Sequence, residues 1–162
     1  MGSKGKEMVT MKIQEVIELL NKALADEWLA YYQYWIGAKM VRGLTSQVVA
    51  AELEEHAGEE LKHANMLVER ILQLDGTPIL KPEEWYKKTN CGYEAPTNPS
   101  EIAILQQNIK GERCAIEVYK KLFELCKDKD IITAHLVLHI LKDEITHEDD
   151  LQKLLEDRET KN

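Results

Sequence analysis

The stretch GEELKHA, residues 58–64, sets Glu60 and His63 three residues apart, and DEITHED, residues 143–149, repeats the spacing with Glu144 and His147. Positions three apart on a helix share a face, so each pair presents a carboxylate beside an imidazole. With 21 Glu and 5 His in 162 residues, chance alone gives less than one Glu-x-x-His pair.

Around these pairs, helical periodicity runs over about residues 12–42, 46–75, 99–127 and 130–157. Gly43 closes the first stretch, Ser46 stands where a cap opens the second, and Asp75-Gly76 ends it. NPSE, residues 98–101, offers the third helix a cap at Asn98, with a proline and then a glutamate in its first turn. KDKD, residues 127–130, separates the third helix from the fourth. Two connections are short, which makes antiparallel hairpins of the first and last pairs. The remaining connection, about 76–98, holds Pro78, Pro82 and Pro96. A 30-residue helix is about 45 Å long and an extended chain covers about 3.3 Å per residue, so this segment is long enough to cross a whole bundle. The expectation is an all-α four-helix bundle with one long crossover, residues 1–162 forming a single domain.

Each helix carries a glutamate in a mainly apolar seam. Glu27 falls between Leu24 and Tyr31, Glu60 and His63 between Leu53 and Leu67, Glu112 between Ile109 and Ile116, and Glu144 and His147 between Ile140 and Leu151. Residues equidistant from a hairpin turn lie side by side. Glu27 and Glu60 are centred beside Gly43, and Glu112 and Glu144 are centred inside KDKD, so the four carboxylates meet at one height. A buried carboxylate without a partner costs several kcal/mol and takes up a proton instead. No Lys or Arg occupies these seams, so cations are the natural partners. Two divalent ions balance four carboxylates, and two imidazoles complete the donor set without adding charge. Mixed carboxylate and imidazole donors suit iron or manganese. The metal ligands expected are Glu27, Glu60, His63, Glu112, Glu144 and His147.

The bulk composition fits a cation-binding role. A net charge of −8 disfavours nucleic acid and anionic membranes and favours cations, and Lys4 and Lys6 are too few for a DNA-binding arm. There is no apolar run of membrane-spanning length and no hydrophobic leader region, and Lys6 stands where a myristoylation site needs Ser or Thr. Three cysteines argue against a secreted disulfide framework. The expectation is a cytoplasmic protein with no membrane or nucleic-acid partner.

With these residues in place, the chain resembles the ferritin-like di-iron carboxylate superfamily, and within it the bacterioferritin-related, Dps-like thioferritins. The resemblance spans all four helices. It implies that Glu27 and His63 are terminal ligands of one iron, Glu112 and His147 of the other, and that Glu60 and Glu144 bridge. A tyrosine seven residues after the first-helix ligand is shared with bacterioferritins and is Tyr34 here; Tyr119 repeats it in the third helix, and both can donate hydrogen bonds to the carboxylates. Leu61 stands where bacterioferritin carries its haem-ligating Met, so no haem is expected. The chain ends about 15 residues past His147, which leaves no room for a fifth helix and suggests a 12-subunit cage over a 24-subunit one.

Thioferritins carry a cysteine pair near the metal site, which maps onto Cys91 and Cys114 as a redox pair. Cys126 continues the third helix's apolar stripe. His56 lies one turn before Glu60 on the same face, where iron entry, support of the ligands and plain packing are all open; its counterpart in the fourth helix is Ile140. His135 and His139 read as a solvated face, since His139 points about 140° away from Glu144. The resulting expectation is a ferroxidase and iron-storage cage that oxidises Fe²⁺ with hydrogen peroxide or O₂ and protects against oxidative stress. Two iron ions per chain are expected, with manganese possible. The alternative is a rubrerythrin-like or manganese-catalase-like peroxidase that stores no metal, although no Cys-x-x-Cys pair for a rubredoxin iron is present.

Overall fold

The structure, a computed structural model, describes residues 2–159. Its helices are α1 (Ser3–Glu7), α2 (Ile13–Met40), α3 (Ser46–Gln73), α4 (Trp85–Lys88, continuing a 3₁₀ turn at Pro82–Glu84), α5 (Glu101–Cys126) and α6 (Ile131–Glu159). The four long ones make a four-helix bundle. The expectation of four helices and no fifth is corrected by α1 and α4, both too short for a sequence periodicity to register. They lie before α2 and inside the crossover, and the described residues end within α6.

The helix ends show how the two hairpins are joined. Ser100, rather than Asn98, caps α5: its Oγ accepts the Ala103 N–H at 3.3 Å, while Asn98 Oδ1 accepts from Ser100 N. The adjoining Glu101 reaches to the α2–α3 turn, where its carboxylate accepts from Thr45 N at 2.7 Å and Thr45 Oγ1 at 3.0 Å. Arg42 N donates to the Pro99 carbonyl at 2.6 Å. The start of α5 is therefore pinned to the end of α2, and the two helices run antiparallel. At the other end, Arg70 of α3 donates through Nη2 to both carboxylate oxygens of Asp130, at 2.7 and 2.9 Å, and through Nε to Thr133 Oγ1. Asp130 in turn accepts from Thr133 N and caps α6. The C-terminal end of α3 closes with Asp75 at φ 60° and a Gly76 N–H that bonds the Ile71 carbonyl, a left-handed C-terminal cap.

The crossover climbs along α2, held by three buried polar side chains. Asn21 accepts from Ile79 N and donates to Thr77 O. Asp26 accepts from Thr89 Oγ1, Asn90 N, Asn90 Nδ2 and Cys91 N. Gln33 accepts from Glu94 N. Trp85 of α4 stacks on Trp28 with ring centroids 5.3 Å apart and planes within 5°.

The core is in two parts. Leu20, Leu24, Leu67, Ile71, Val137 and Ile140 fill one half, and Val49, Leu53, Ile104, Leu105 and Leu151 fill the other. Each such side chain contributes roughly 1.5–3 kcal/mol on burial. In the last turns of α6, Leu155 is buried and Leu154 is only partly covered. Between the halves lies a layer of polar side chains that the apolar burial must outweigh. Among the described residues, no helix is long and apolar enough to cross a membrane.

Candidate metal centre

That polar layer is built from one helix at a time. α2 supplies Glu27, α3 supplies Glu60 and His63, α5 supplies Glu112, and α6 supplies Glu144 and His147. None of the six is more than 3% exposed. His63 Nδ1 lies 3.4 Å from Glu27 Oε2, 3.6 Å from Glu60 Oε2 and 3.3 Å from Glu144 Oε1. His147 Nδ1 lies 3.3 Å from Glu60 Oε1, 3.3 Å from Glu144 Oε2 and 3.9 Å from Glu112 Oε2. The side chains thus form two groups that could each hold a metal ion, Glu27–Glu60–His63–Glu144 and Glu60–Glu112–Glu144–His147, with ligand atoms within 4.8 Å of one another. Glu60 and Glu144 belong to both.

The close approaches are not ordinary hydrogen bonds. One atom on each of the six residues, Glu27 Oε2, Glu60 Oε1, His63 Nδ1, Glu112 Oε2, Glu144 Oε1 and His147 Nδ1, is buried with no hydrogen-bond partner. Buried polar atoms are nearly always satisfied, so six orphans converging on one point fit a pair of cations.

The remaining atoms of these residues are held firmly. Tyr119 of α5 donates a short hydrogen bond to Glu27 Oε1, and Tyr34 of α2 donates one to Glu112 Oε1. Both phenols are buried, and the tie runs crosswise between α2 and α5. A second crosswise tie joins α3 and α6: His63 Nε2 bonds Asp143 Oδ2 at 3.2 Å and His147 Nε2 bonds Glu59 Oε2 at 2.7 Å. These bonds leave each Nδ1 facing the carboxylates, an arrangement typical of metal-binding histidines. Asp143 and Glu59 were not singled out in the sequence, although the signal is there: each pair is preceded by an acid, giving acid-Glu-x-x-His twice.

Charge is finely distributed here. Burial raises the Glu27 and Glu112 carboxyls well above their usual range, and the charges of Glu60 and Glu144 add to it. Burial also pushes Glu60 up, yet its contacts with His147 and His63 outweigh this and hold it below the carboxylate range. For His63 and His147 burial opposes charge, but the neighbouring carboxylates of Glu144, Glu60 and, for His63, Glu27 outweigh it; His147 is pushed up to about 12 and His63 is raised in the same sense.

The other sequence candidates fall around this centre. His56 is buried, stacks on the His147 ring at 4.1 Å and meets Tyr34 edge-on at 5.3 Å. Burial, with the charge of His147, pushes it down to about 4. His135 and His139 are exposed, and His139 Nε2 approaches Asp143 at 3.8 Å. Cys126 is buried, and burial raises its thiol to about 11. Cys91 and Cys114 are joined by a disulfide, with Cα atoms 5.7 Å apart. That disulfide lines a cavity of about 460 Å³ whose wall also includes Glu27, Glu60, Glu112 and Glu144. Cys91 to Glu94 of the crossover form part of its lining, so the cavity leads from the disulfide to the carboxylates.

Residues 17–160 match the ferritin family through its ferritin-like domain. The chain belongs to the ferritin family. Among its relatives in that family, a DNA protection during starvation protein from Pyrococcus furiosus is 32% identical over 150 residues, covering 92% of this chain and 81% of that protein. A bacterioferritin from Desulfovibrio desulfuricans is 32% identical over 134 residues, covering 82% and 70%. A solved dodecameric thioferritin, the bacterioferritin-related protein of Bacteroides fragilis, superposes with a TM-score of 0.92 at 42% identity, covering 93% of this chain and 90% of that one. Ferritin-family membership supports iron storage and ferroxidase-type chemistry as the general function.

Proposed function

We propose that this ferritin-family protein is a ferroxidase that stores iron in a 12-subunit cage in the cytoplasm and uses hydrogen peroxide, or O₂, as oxidant. The observation that carries the reading is the convergence of six unpartnered donor atoms from four helices. Two Fe²⁺ ions are the substrate. Glu27 and His63 hold one, Glu112 and His147 hold the other, and Glu60 and Glu144 are shared, as the two overlapping groups suggest. Each Fe²⁺ gives up one electron: two Fe²⁺ and one H₂O₂ become two Fe³⁺ and two OH⁻. Holding Fe²⁺ in pairs supplies both electrons together and avoids a hydroxyl radical. Tyr119 and Tyr34 fix the terminal carboxylates, and Asp143 and Glu59 fix the imidazoles, so the site is preorganised before the cations arrive. The ferric product then leaves to mineralise inside the cage. Removal of Fe²⁺ and peroxide together accounts for protection against oxidative stress, and the net charge of −8 favours this route over direct binding to DNA. The donor set also accepts Mn²⁺.

One observation favours a second reading. The Cys91–Cys114 disulfide shares a cavity with the carboxylates, which suits a peroxidase in which two thiols reduce one H₂O₂ to two waters and become the disulfide. Iron loading separates the two. Protein given Fe²⁺ and peroxide in excess is passed over a sizing column and analysed for iron. Retention far beyond two iron atoms per chain supports storage, and a plateau at two per chain contradicts it.

A further inference from the structure

We propose that Glu52, His56 and Asp150 form a third divalent-cation site, a station through which Fe²⁺ passes between the surface and the buried carboxylates. Each of the three offers a ligand atom, and the three atoms lie within 4.8 Å of one another. Glu52 and His56 are one turn apart on α3, with Glu52 Oε1 at 3.2 Å from His56 Nε2, and Asp150 comes from α6. Two carboxylates and an imidazole balance one divalent ion, and their chemistry suits Fe²⁺, Mn²⁺ or Co²⁺.

The cluster is more than an acidic patch. His56 is 2% exposed and turns its Nε2 toward Glu52, while Glu52 and Asp150 are half-buried. The site thus has a wet end of carboxylates and a dry end of imidazole. The dry end touches the candidate metal centre directly, since the His56 ring stacks on that of His147 at 4.1 Å. Glu55 and Glu59 add negative charge around Glu52 and draw cations toward the wet end.

Its position also fits a route. The crossover and the disulfide cavity lie against α2 and α5, whereas Glu52, His56 and Asp150 lie on α3 and α6, across the bundle. Oxidant and cation would then reach the carboxylates from opposite sides.

The internal repeat gives an independent argument. A shift of 84 residues carries Glu60 onto Glu144 and His63 onto His147. The same shift carries Glu52 onto Leu136 and His56 onto Ile140, and the reverse shift carries Asp150 onto Met66. These three counterparts pack against the core. The trio is therefore not a by-product of the duplicated pattern. It exists beside His147 only, and the equivalent positions beside His63 are apolar.

The transit role rests on the proposed function, but the site itself does not, and the test separates them. Whole protein freed of metal is dialysed against Co²⁺ alone, and bound cobalt is counted for wild type and for the Glu52→Gln/Asp150→Asn double variant. Both substitutions keep side-chain size at half-exposed positions. The expected result is three Co²⁺ per chain for wild type and two for the variant, with the two shared-carboxylate sites showing that the variant is folded. Two in wild type, or three in both, overturns the third site and leaves the ferroxidase reading standing. One in wild type, lost in the variant, keeps the third site and removes the di-cation centre. For transit, Fe²⁺ oxidation at limiting Fe²⁺ should slow by roughly tenfold in the variant, the scale for losing groups that support a metal site, with an unchanged end point. An unchanged rate overturns the transit role.

Discussion

Glu27, Glu112, His63 and His147 all hold a proton more tightly in the folded chain than in the unfolded one. Their unfolded values are about 4.3 for Glu and 6.5 for His. A group raised on folding contributes stability below its unfolded value and loses it as pH climbs toward the folded value. For His147 that window runs from about 6.5 up to about 12, and the other three act in the same sense. Glu60 acts oppositely, contributing above about 4.3 and losing it as pH falls. Protein stripped of cations should therefore melt at a lower temperature at pH 9 than at pH 6. Added Co²⁺ competes with these protons, so it should raise the melting temperature more at pH 9; calorimetry with equal shifts at both pH values would argue against a proton-for-cation exchange. Tyr119→Phe and Tyr34→Phe remove the hydrogen bonds that hold the carboxylates of Glu27 and Glu112 respectively. Each should weaken cation binding by roughly tenfold by titration, with little change in fold. The six inward-facing residues were legible because each interrupts an apolar seam at a shared height. Asp143 and Glu59 were not, because half-exposed acids next to a seam read as solvated until the opposite helix is in place.

The helices themselves were written plainly in periodicity, but the joins between them were not. Arg70, Asp130 and Thr133 form a buried polar knot that ties α3 to the start of α6. KDKD read only as a break, since its cap and ion pair depend on an arginine 60 residues away. Asp130→Ala leaves the Arg70 charge buried and uncapped, and should cost about 3–5 kcal/mol in denaturant unfolding; a loss within error of zero would show the knot to be dispensable. The second join depends on a glycine. A Cβ on Gly43 would sit 2.4 Å from the carboxyl carbon of Glu101. Gly43→Ala would push that side chain off Thr45 and cost about 1 kcal/mol, the worth of a helix cap. Glu101→Gln, which keeps an acceptor, should cost less. The path of the crossover was the least legible part, because Asn21, Asp26 and Gln33 look like polar punctuation of α2 until a second segment supplies their partners. Asp26 places Cys91 beside Cys114. Asp26→Ala should therefore speed hydrogen exchange at residues 89–92 and make the disulfide easier to reduce.

Across the molecule, the outer face of α2 and the crossover share an aromatic patch. Tyr32 and Trp35 are 5.8 Å apart, and Tyr93 lies 6.0 Å from Tyr32 and 6.1 Å from Tyr86. Tyr32, Trp35 and Tyr86 are 43%, 41% and 62% exposed. Contiguous exposed aromatics mark contact surfaces, and the dodecameric neighbour supports a cage. Native mass spectrometry should find an assembly of about twelve chains of 18.7 kDa each, and Tyr32→Glu with Trp35→Glu should shift it to smaller species that still bind Co²⁺. A monomeric wild type would remove the cage. The claim beneath all of this is that the four helices bring their glutamates together to hold a pair of cations. Its most direct test is anomalous scattering at the iron edge from crystals soaked in ferrous salt. The account predicts two iron peaks per chain among Glu27, Glu60, Glu112 and Glu144, one beside His63 and one beside His147, both absent from the Glu60→Gln/Glu144→Gln variant. Wild-type crystals with no peak among those carboxylates would contradict it.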